Sequence, residues 1–507
     1  MANSWTKTKA KERIEKSLTD VQSPTIKDYV RDTSLDNIPN GVAYKVDGVH
    51  LYVDIVNMAA LLAGTDKEGE TIHQRVLRFM ELHYRAVARI LNECDVVRVD
   101  FANQRLHAVV TKPYDDEAKR IKRAVAIAQL IQDVVAQTGD SDDNIPDAQV
   151  RVGIDSGVAL AVNNGRRGAR EPLFLGVPAN VAAKHAAGTK LGIFVTANAR
   201  AAAGFAKVDD TKATALSAVD IAAAQESAQL GTDASAIVEK WRDDLKKNPL
   251  GRFEFSGQTP PLANMPIDEL SPSNCKRQDL TVLFADIDRF SAFVADRIAA
   301  APKDVVQVLH VLRSELDAVL RLDFQGFKLR FIGDCILGLS CDGTAQTTDA
   351  PLTVANVTII AAALHSSFEM CLEVLEAKGI DLDIDDTTLG LAVGFELGPV
   401  ATTRLGLKGD LIPCSVGRSV VGAEAEQNRC ASDVTAIGPQ AFAAASDAVK
   451  GLFDASRKAK SLRYADVVEA LAERDERAAK VVFAPALARS PLQTAAAQSS
   501  PRSYCGS

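Results

Sequence analysis

The chain has 507 residues, of which 47% are hydrophobic and 24% are charged, and these values are typical of a globular protein with a sizeable core. The length suggests about three domains, and a pair of larger domains fits as well. The formal net charge of −8 at pH 7 argues against a nucleic-acid partner, whereas a small nucleotide carried with its magnesium remains compatible.

Residues 1–45 are predicted to form a helical leader on the first domain, with helical patterns at 10–18 and 25–31 before a turn-rich IPNG. The amino terminus is charged, and no run approaches eighteen uninterrupted apolar residues, so we expect no membrane segment. The eight cysteines show no CxxC spacing and are interpreted as reduced core residues. Together these features predict a soluble, cytoplasmic protein.

The first domain is predicted over residues 46–204. Its pattern runs from a strand and helix at 50–64 to an amphipathic helix at 72–91 and a strand pair at 95–111. A second helix (118–137) and a strand pair (149–162) follow, and then a strand, a turn and a helix over 172–187 and a last strand over 192–197. Strands and helices therefore alternate through this domain.

A connector is predicted over residues 205–276, Ala-rich and helical at first and Pro-rich at its end, where QTPPLANMPIDELSPSN marks a boundary. The second domain is predicted over residues 277–485. Residues 486–507 are small and polar, so we expect a disordered tail.

The second domain repeats the pattern of the first. Asp286 follows Asp54 by 232 residues, Asp334 follows Asn103 by 231, and Gly394 follows Gly153 by 241. Two further pairs, Gly176 with Gly417 and Ile193 with Val434, share the offset of 241. The chain is therefore predicted to hold two tandem copies of one fold.

Two apolar stretches of the second copy, TVLFADIDRFS (281–291) and FKLRFIGDCILGL (327–339), each place a carboxylate at the end of a buried strand. Two carboxylates that converge are what a two-metal phosphoryl-transfer site requires, because the ions share anionic ligands. FADIDRF with FIGD resembles the metal motifs of class III nucleotide cyclases. This resemblance implies an α+β fold of two ferredoxin-like (βαββαβ) domains, packed as an intramolecular pseudo-heterodimer.

The resemblance implies that Asp286, Asp334 and the backbone carbonyl of Ile287 hold two Mg²⁺ or Mn²⁺ ions. The helix start at 287–291, with Phe290 and Ser291, is expected to cradle the β- and γ-phosphates of a nucleoside triphosphate. Taken singly, the two aspartates fit a helix cap and a turn equally well. Their occurrence together at the family spacing favours the metal site.

The two copies have lost complementary parts of the cyclase site. Counting from Gly176, the first copy carries Asn180 at the position that orients ribose and Lys184 where the family has arginine. The second copy has Val421 and Ala425 there, and the first copy has Asn103 at its second metal position. One composite catalytic site is therefore expected, together with one inactive site.

The family's purine-selecting positions fall on Val99 and Leu173 in the first copy, and neither side chain reads a purine edge. A shift of one residue offers Arg98 or Asp100 instead, and Glu171 lies close to Leu173 in the sequence. Tyr52, two residues before Asp54, fills purine space or packs as an ordinary strand aromatic. Lacking the purine code, the chain resembles the pyrimidine cyclases of Pycsar antiphage systems.

The favoured reaction is therefore the conversion of UTP to 3′,5′-cyclic UMP and pyrophosphate, with Arg98 donating to uracil. A cytidylate cyclase using Asp100, an adenylyl cyclase with an atypical base pocket and an inert nucleotide-sensing module remain alternatives. Arg330 of the second copy is expected at a surface or an interface. The resemblance further implies an effector activated by the cyclic nucleotide, and either a monomer with an internal pseudo-dimer or a homodimer.

Overall fold

The computed structural model describes residues 4–31, 33–102, 104–140, 144–163 and 172–474. Asn103, Glu171 and the tail of 486–507 therefore lie outside the described residues. Within these ranges the chain forms two β-sheets, each covered by helices.

The first sheet has seven strands: β1 (Thr25–Asp28), β2 (Val42–Ile55), β3 (Val97–Ala102), β4 (Arg105–Val110), β5 (Val150–Asn163), β6 (Pro172–Leu175) and β7 (Gly192–Val195). Their order is β3-β4-β2-β5-β6, with β1 beside β2 and β7 beside β5. The predicted helix at 25–31 is wrong, because this segment pairs as a parallel edge strand with β2. Its β-branched Thr25 and Ile26 suit that role.

The second sheet has eight strands: β8 (Phe255–Ser256), β9 (Cys275–Asp288), β10 (Phe327–Ile332), β11 (Cys335–Ser340), β12 (Gly390–Leu407), β13 (Asp410–Val416), β14 (Val434–Ile437) and β15 (Lys458–Lys460). Their order is β10-β11-β9-β12-β14-β15, with β13 beside β12 and β8 beside β9. The long central strands β9 and β12 pair antiparallel over their length.

The helices of the first half of the chain are α1 (Lys7–Asp20), α2 (Met58–Leu62), α3 (Glu70–Glu93), α4 (Glu117–Val135), α5 (Val177–Ala186), α6 (Ala197–Ala203), α7 (Ala218–Ala228) and α8 (Ala234–Lys247). Those of the second half are α9 (Phe290–Arg297), α10 (Pro302–Ala318), α11 (Ala350–Glu376), α12 (Arg418–Gln427), α13 (Pro439–Ala444), α14 (Asp447–Lys450) and α15 (Tyr464–Arg474). The connector helices α7 and α8 pack on α4 of the first copy.

Both copies have the ferredoxin-like order, β2-α3-β3-β4-α4-β5 in the first and β9-α10-β10-β11-α11-β12 in the second. The predicted tandem α+β fold is confirmed. Matching glycines mark the same close approach in each copy. A Cβ on Gly153 would lie 2.1 Å from the Ala182 carbonyl oxygen of α5, and one on Gly394 would lie 2.0 Å from the Gln427 nitrogen of α12. Glycine is therefore required where this helix crosses the sheet.

The two copies pack against each other through their α5 and α12 sides. Helix α3 contacts β12 and β13, and α5 contacts α9. The backbone N–H of Arg418 donates to Glu68 at 2.6 Å, and Glu68 in turn lies 2.8 Å from His73 Nε2. Arg277 Nε donates to the other ring nitrogen of His73 at 3.0 Å. This buried polar network fixes the orientation of one copy on the other.

Helix α11 is, among the described residues, the one helix long and apolar enough to cross a membrane, and 72% of its most apolar window is buried inside the protein. It lies against β9 and β12 in the core of the second copy. Its apolarity is therefore explained by core packing. The seven cysteines within the described ranges are all free thiols.

Candidate active site

A cavity of about 150 Å³ lies between the two copies and is lined by residues of both. The first copy contributes Tyr52, Asp100, His107, Leu173 and Asn180, among others, and the second contributes Phe290, Ser291, Arg313, Asp334 and Glu424. The cavity runs from the predicted catalytic site into its pseudosymmetric counterpart. The two sites are therefore continuous with each other.

Asp334 lines one end of the cavity, and Asp286 forms an acidic pair with it. Asp286 lies near the end of β9, and Asp334 lies in the two-residue turn between β10 and β11, where Gly333 adopts φ 62°. Burial and the neighbouring Asp288 raise the pKa of Asp286 to about 6. Burial and Asp286 raise the pKa of Asp334 well above its ordinary value. Two desolvated carboxylates that repel each other favour a bound cation between them.

The residues present fit oxygen-coordinated divalent ions. The carboxylates are hard ligands of the kind that Mg²⁺ and Mn²⁺ prefer. Asp288 is engaged through its Oδ2, which accepts from the Ser432 N–H at 3.0 Å and from the Ser432 hydroxyl at 2.5 Å. Among the described residues no cluster of three or more acidic, histidine or cysteine side chains is placed to hold a metal. The remaining ligands would have to come from backbone, substrate and water, for which the Ile287 carbonyl stays a prediction.

Next to the aspartates, α9 begins at Phe290, after Arg289 in the left-handed conformation at φ 68°. Phe290 is buried and Ser291 is exposed, and both line the cavity. Arg313 of α10 also lines the cavity and lies over the Phe331 ring at 3.9 Å. Its positive charge partly offsets the rise in the pKa of Asp334 that burial and Asp286 cause. Arg313 was not predicted as a site residue, because an arginine within an amphipathic helix gives no distinctive signal in the sequence.

The first copy places Asn180 in the cavity wall, one turn into α5. Lys184 follows one turn later and is exposed, and no hydrogen bond or ion pair to the described residues holds it. It does not line the cavity. The structure thus brings Asn180 and Asp334 into the wall of one cavity across the interface, and leaves Lys184 outside that wall.

The base-pocket end is a row of side chains on three adjacent strands. Tyr52 on β2 pairs with His107 on β4, which pairs with Asp100 on β3. The Tyr52 and His107 rings stack at 4.1 Å with an interplanar angle of 12°. Val99 and Leu173 also line this end of the cavity. His107 escaped the sequence analysis, although its place in the alternating RLHAVV indicates the same face as Arg105 and Val109.

A bulge in β3 settles which residue takes the selector position. The pairing shifts between Arg98 and Asp100, so Val99 is the extra residue. Arg98 does not line the cavity, because its guanidinium bonds Asp410 of the second copy at 2.5 and 2.6 Å. The expected contact of Arg98 with uracil is therefore corrected. Asp100, and not Arg98, faces the cavity.

The buried Arg330 is the second copy's counterpart of Asp100. It is fully buried, so the expected surface location is wrong and the expected interface location is right. Its Nη1 donates to the Phe101 carbonyl at 2.9 Å, and its Nη2 lies 3.2 Å from Asp100 Oδ1. The guanidinium thereby orients the Asp100 carboxylate from behind.

In the other half of the cavity an arginine stands where the metal ions would be. Arg105 Nη2 lies 3.0 Å from Asp54 and also attracts Glu424 of α12. Ala102 pairs with Arg105 as Ile332 pairs with Cys335, so Gln104, and not Asn103, occupies the place of Asp334. The predicted equivalence of Asn103 with Asp334 is therefore wrong by one residue. This half of the cavity carries Arg105 as its cation, and among the described residues it has no aspartate in the place of Asp334.

Comparisons with known sequences agree with this geometry. Residues 274–413 match the adenylate and guanylate cyclase catalytic domain family. The chain is 53% identical over 495 residues to a Pseudomonas aeruginosa protein named uridylate cyclase, across 97% of this chain and 96% of that one. It is 37% identical over 436 residues to a uridylate cyclase from a Rhizobium species, with 82% of each chain covered.

A solved structure shares the whole architecture. The crystal structure of a class III adenylyl cyclase-like ATP-binding protein from Pseudomonas aeruginosa superposes with a TM-score of 0.90 at 54% identity, covering 93% of this chain and 100% of that one. Its match spans both copies, as do the matches to the two uridylate cyclases. The chain therefore belongs to the class III nucleotide cyclase family.

Proposed function

We propose that this chain is a uridylate cyclase, which converts UTP to 3′,5′-cyclic UMP and pyrophosphate. The observation that carries the proposal is a single cavity with Asp334 of the second copy, beside Asp286, at one end and the row of Tyr52, His107 and Asp100 of the first at the other. The names of the two relatives support UTP as the substrate.

Asp286 and Asp334 are the proposed ligands of two Mg²⁺ or Mn²⁺ ions. Bound there, divalent ions lower the pKa of the ribose 3′-hydroxyl and neutralise the triphosphate. The raised pKa of both carboxyls supports this role, because each carboxylate is stabilised only when a positive charge is present.

In the proposed reaction the 3′-oxygen forms a bond to the α-phosphorus, the bond to the bridging oxygen of pyrophosphate breaks, and the hydroxyl proton passes to solvent. Asn180 orients the ribose, and the amides at the start of α9, beside Phe290 and Ser291, hold the terminal phosphates. Lys184, whose side chain is exposed, is proposed to stabilise the charge that develops on the α-phosphate. As a point charge it replaces the family's bidentate arginine.

Base selection is assigned to Tyr52 and Asp100, with Val99 and Leu173 as apolar walls. Tyr52, stacked on His107, takes up the space that the second ring of a purine needs. Asp100 accepts a hydrogen bond from the N3–H of uracil. Cytosine has a lone pair at N3, so a carboxylate placed at this position disfavours CTP.

The test is turnover by the purified full chain with Mn²⁺ and each of ATP, GTP, CTP and UTP, with the products separated against the four cyclic monophosphates. We expect cyclic UMP, and its loss in Asp286→Asn. Asp54→Asn is the matched control, because it removes the pseudosymmetric carboxylate and is expected to leave turnover intact. Activity retained by Asp286→Asn would refute the composite site.

An adenylyl cyclase with an atypical pocket is the second candidate, because the solved relative is an adenylyl cyclase-like ATP-binding protein. Cyclic AMP as the main product would establish that activity, and the assignment of Tyr52 and Asp100 would then be given up. Absence of product from all four nucleotides would favour a nucleotide-sensing module.

In the cell, we propose that the enzyme acts in the cytoplasm and supplies cyclic UMP as a second messenger of antiphage defence to an effector that binds it. The internal pseudo-dimer holds a complete site, so a monomer suffices for activity. The check is the cyclic UMP content of cells before and after phage infection, with the Asp286→Asn chain as control. A level that does not change on infection would contradict the defence role.

A further inference from the structure

The base-pocket row contains a histidine pair that the proposed mechanism does not use. His50 Nδ1 and His107 Nε2 lie 3.0 Å apart. Phe174 packs edge-on against both rings, so the pair is enclosed by aromatic groups and Tyr52. His107 nevertheless lines the cavity. One member of the pair is thus buried behind the pocket, and the other forms part of its wall.

The second copy shows that the fold does not require a histidine here. In the equivalent row Phe284 pairs with Leu337, which pairs with Arg330. Leu337 therefore occupies the place of His107 in the same sheet, fully buried in an apolar cluster. Since leucine satisfies the packing at this position, the polarity of His107 calls for another explanation.

The hydrogen-bond pattern defines which nitrogen of His107 carries its proton. Burial lowers the pKa of His50 to about 3, and burial with the neighbouring His50 lowers the pKa of His107 well below its ordinary value, so both rings are neutral. His50 Nε2 is buried and has no partner among the described residues. A buried N–H without an acceptor is rarer than a bare acceptor, so the His50 proton is on Nδ1 and is donated to His107 Nε2. His107 consequently carries its own proton on Nδ1.

Asp100 and His107 are direct cross-strand partners, so their side chains share one face and lie side by side. The cavity wall therefore presents an acceptor next to a donor. Uracil offers the complement, an N3–H beside a carbonyl oxygen. Cytosine also carries a donor beside an acceptor, its amino N–H beside N3, but it could match Asp100 and His107 only by moving one position along the base edge. Where the ribose and triphosphate hold cytosine in the pose of uracil, its N3 lone pair faces the carboxylate and its amino group faces the imidazole N–H. Both of those contacts are mismatched.

We propose that His107 is a specificity residue, whose Nδ1–H donates to a uracil carbonyl beside the N3–H that Asp100 accepts, and that His50 is the positioning residue that holds His107 in this tautomer. The assignment rests on the proposed uridylate cyclase function. It deepens that function by naming the pair of groups that separates UTP from CTP.

The experiment measures kcat/KM for UTP and for CTP in the full chain with Mn²⁺, for the wild type and His107→Leu. Leucine is the residue that the second copy carries at this position, so we expect the thermal unfolding midpoint to stay within a few degrees. We expect kcat/KM for UTP to fall by about tenfold while that for CTP changes little, so that the UTP preference falls by about tenfold.

Two further variants separate recognition from packing. His107→Asn places an amide N–H near the position of Nδ1 and is expected to recover part of the UTP preference. His50→Leu leaves His107 in place but frees its tautomer, so the preference for UTP over CTP should fall although no group touching the base has changed. If either histidine had a purely structural role, its substitution would lower kcat/KM for UTP and for CTP by the same factor.

An unchanged ratio of UTP to CTP turnover in folded His107→Leu would overturn the inference while leaving the uridylate cyclase standing. If His107→Leu fails to fold, an unchanged ratio in His50→Leu overturns it equally. A wild-type chain that makes no cyclic UMP would refute the proposed function itself, and the inference with it.

Discussion

At the scale of single residues, the metal-site aspartates are expected to lower stability while serving function. The pKa of Asp286 in the folded chain is about 6, above its ordinary value of 3.8. Folding stability is therefore lost as the pH rises from about 4 through 6, and above pH 6 the cost is about 2 to 3 kcal/mol. We expect Asp286→Asn, measured by urea unfolding with EDTA at pH 8, to be more stable than the wild type by about this amount.

Two controls give this prediction its sign. At pH 4 the folded carboxyl is protonated and the unfolded one is about half protonated, so the difference between Asp286→Asn and the wild type should shrink to about 0.5 kcal/mol. Added Mn²⁺ at pH 8 should stabilise the wild type more than the variant, because it binds only the folded site. Equal stabilities at pH 8 with EDTA would contradict the buried, repelling pair.

Arg105 is predicted to replace metal ions as the cation of the pseudosymmetric half. Asp54 is buried, and its Oδ1 has no hydrogen-bond partner among the described residues, so Arg105 carries most of its stabilisation. We expect Arg105→Ala to lower the free energy of unfolding by about 2 kcal/mol, since it leaves a buried carboxylate unpaired.

The matched test of the Arg105 pair is the double variant with Asp54→Asn. Because the unpaired charge is then removed, most of the loss seen in Arg105→Ala should be recovered in urea unfolding. Additive effects of the two substitutions would show that the 3.0 Å contact contributes nothing.

The sequence alone predicted that Asp334, Asn180 and Tyr52 share one cavity with Asp286 beside Asp334, because each stands at a distinctive position relative to an apolar strand or a glycine. In the β3–β4 hairpin the predicted equivalences are wrong by one residue. The bulge at Val99 and the turn that follows it change the register without leaving a mark in the composition. For the same reason counting along the chain could not choose between Arg98 and Asp100.

At the scale of elements, α1 shows what periodicity omits. Its buried face of Ala10, Ile14 and Leu18 is evident from the spacing, and the expected partner was the first domain. The helix instead packs on α10 and α11 of the second copy. An amphipathic pattern identifies the buried face of a helix, but it carries no information about which surface covers it.

Arg13 anchors α1 to the second copy through two buried carboxylates. Its Nη2 lies 2.6 Å from Glu315 and 2.8 Å from Asp323, whose side chains are 2% and 3% exposed. We expect Arg13→Ala to lower the free energy of unfolding by about 3 kcal/mol, because both acids lose their partner. Lys11→Ala, on the exposed face of the same helix, is the control and should change it by less than about 0.5 kcal/mol. A loss no larger than that of the control would mean that α1 is held by its apolar face alone.

At the scale of the whole molecule, each copy of the fold carries a different half of the proposed site. The second copy retained the carboxylates at its strand ends, and the first retained Asn180 and the polar row that ends at Asp100. In the pseudosymmetric half of the cavity, Arg105 supplies a positive charge beside Asp54, and Gln104 stands in the place of Asp334. The two copies are thus no longer interchangeable, and the order of the interface is set by pairs such as Arg98 with Asp410.

Buried neutral histidines are predicted to make the whole chain sensitive to acid. His83 donates from Nδ1 to the Phe79 carbonyl and accepts at Nε2 from the Ala148 N–H at 3.1 Å, so it cannot take a proton without losing that bond. Burial lowers the pKa of His83 and of His365 to about 4, and that of His50 to about 3. Unfolding restores ordinary values, so stability is complete above about pH 6.5 and falls as the pH drops below it.

At pH 5 each of these three histidines should cost about 2 kcal/mol of the free energy of unfolding. The raised pKa values of Asp286 and Asp334 oppose this trend, because protonation relieves the burial of their charges, and the lowered pKa of His107 adds to it. We therefore expect the urea midpoint to fall steadily from pH 7.5 to pH 5. His83→Gln, whose amide oxygen can accept from Ala148 but does not titrate, should reduce the proton uptake on unfolding near pH 5.5 by about one. A midpoint that stays constant over this range would show that the histidines are protonated in the folded chain.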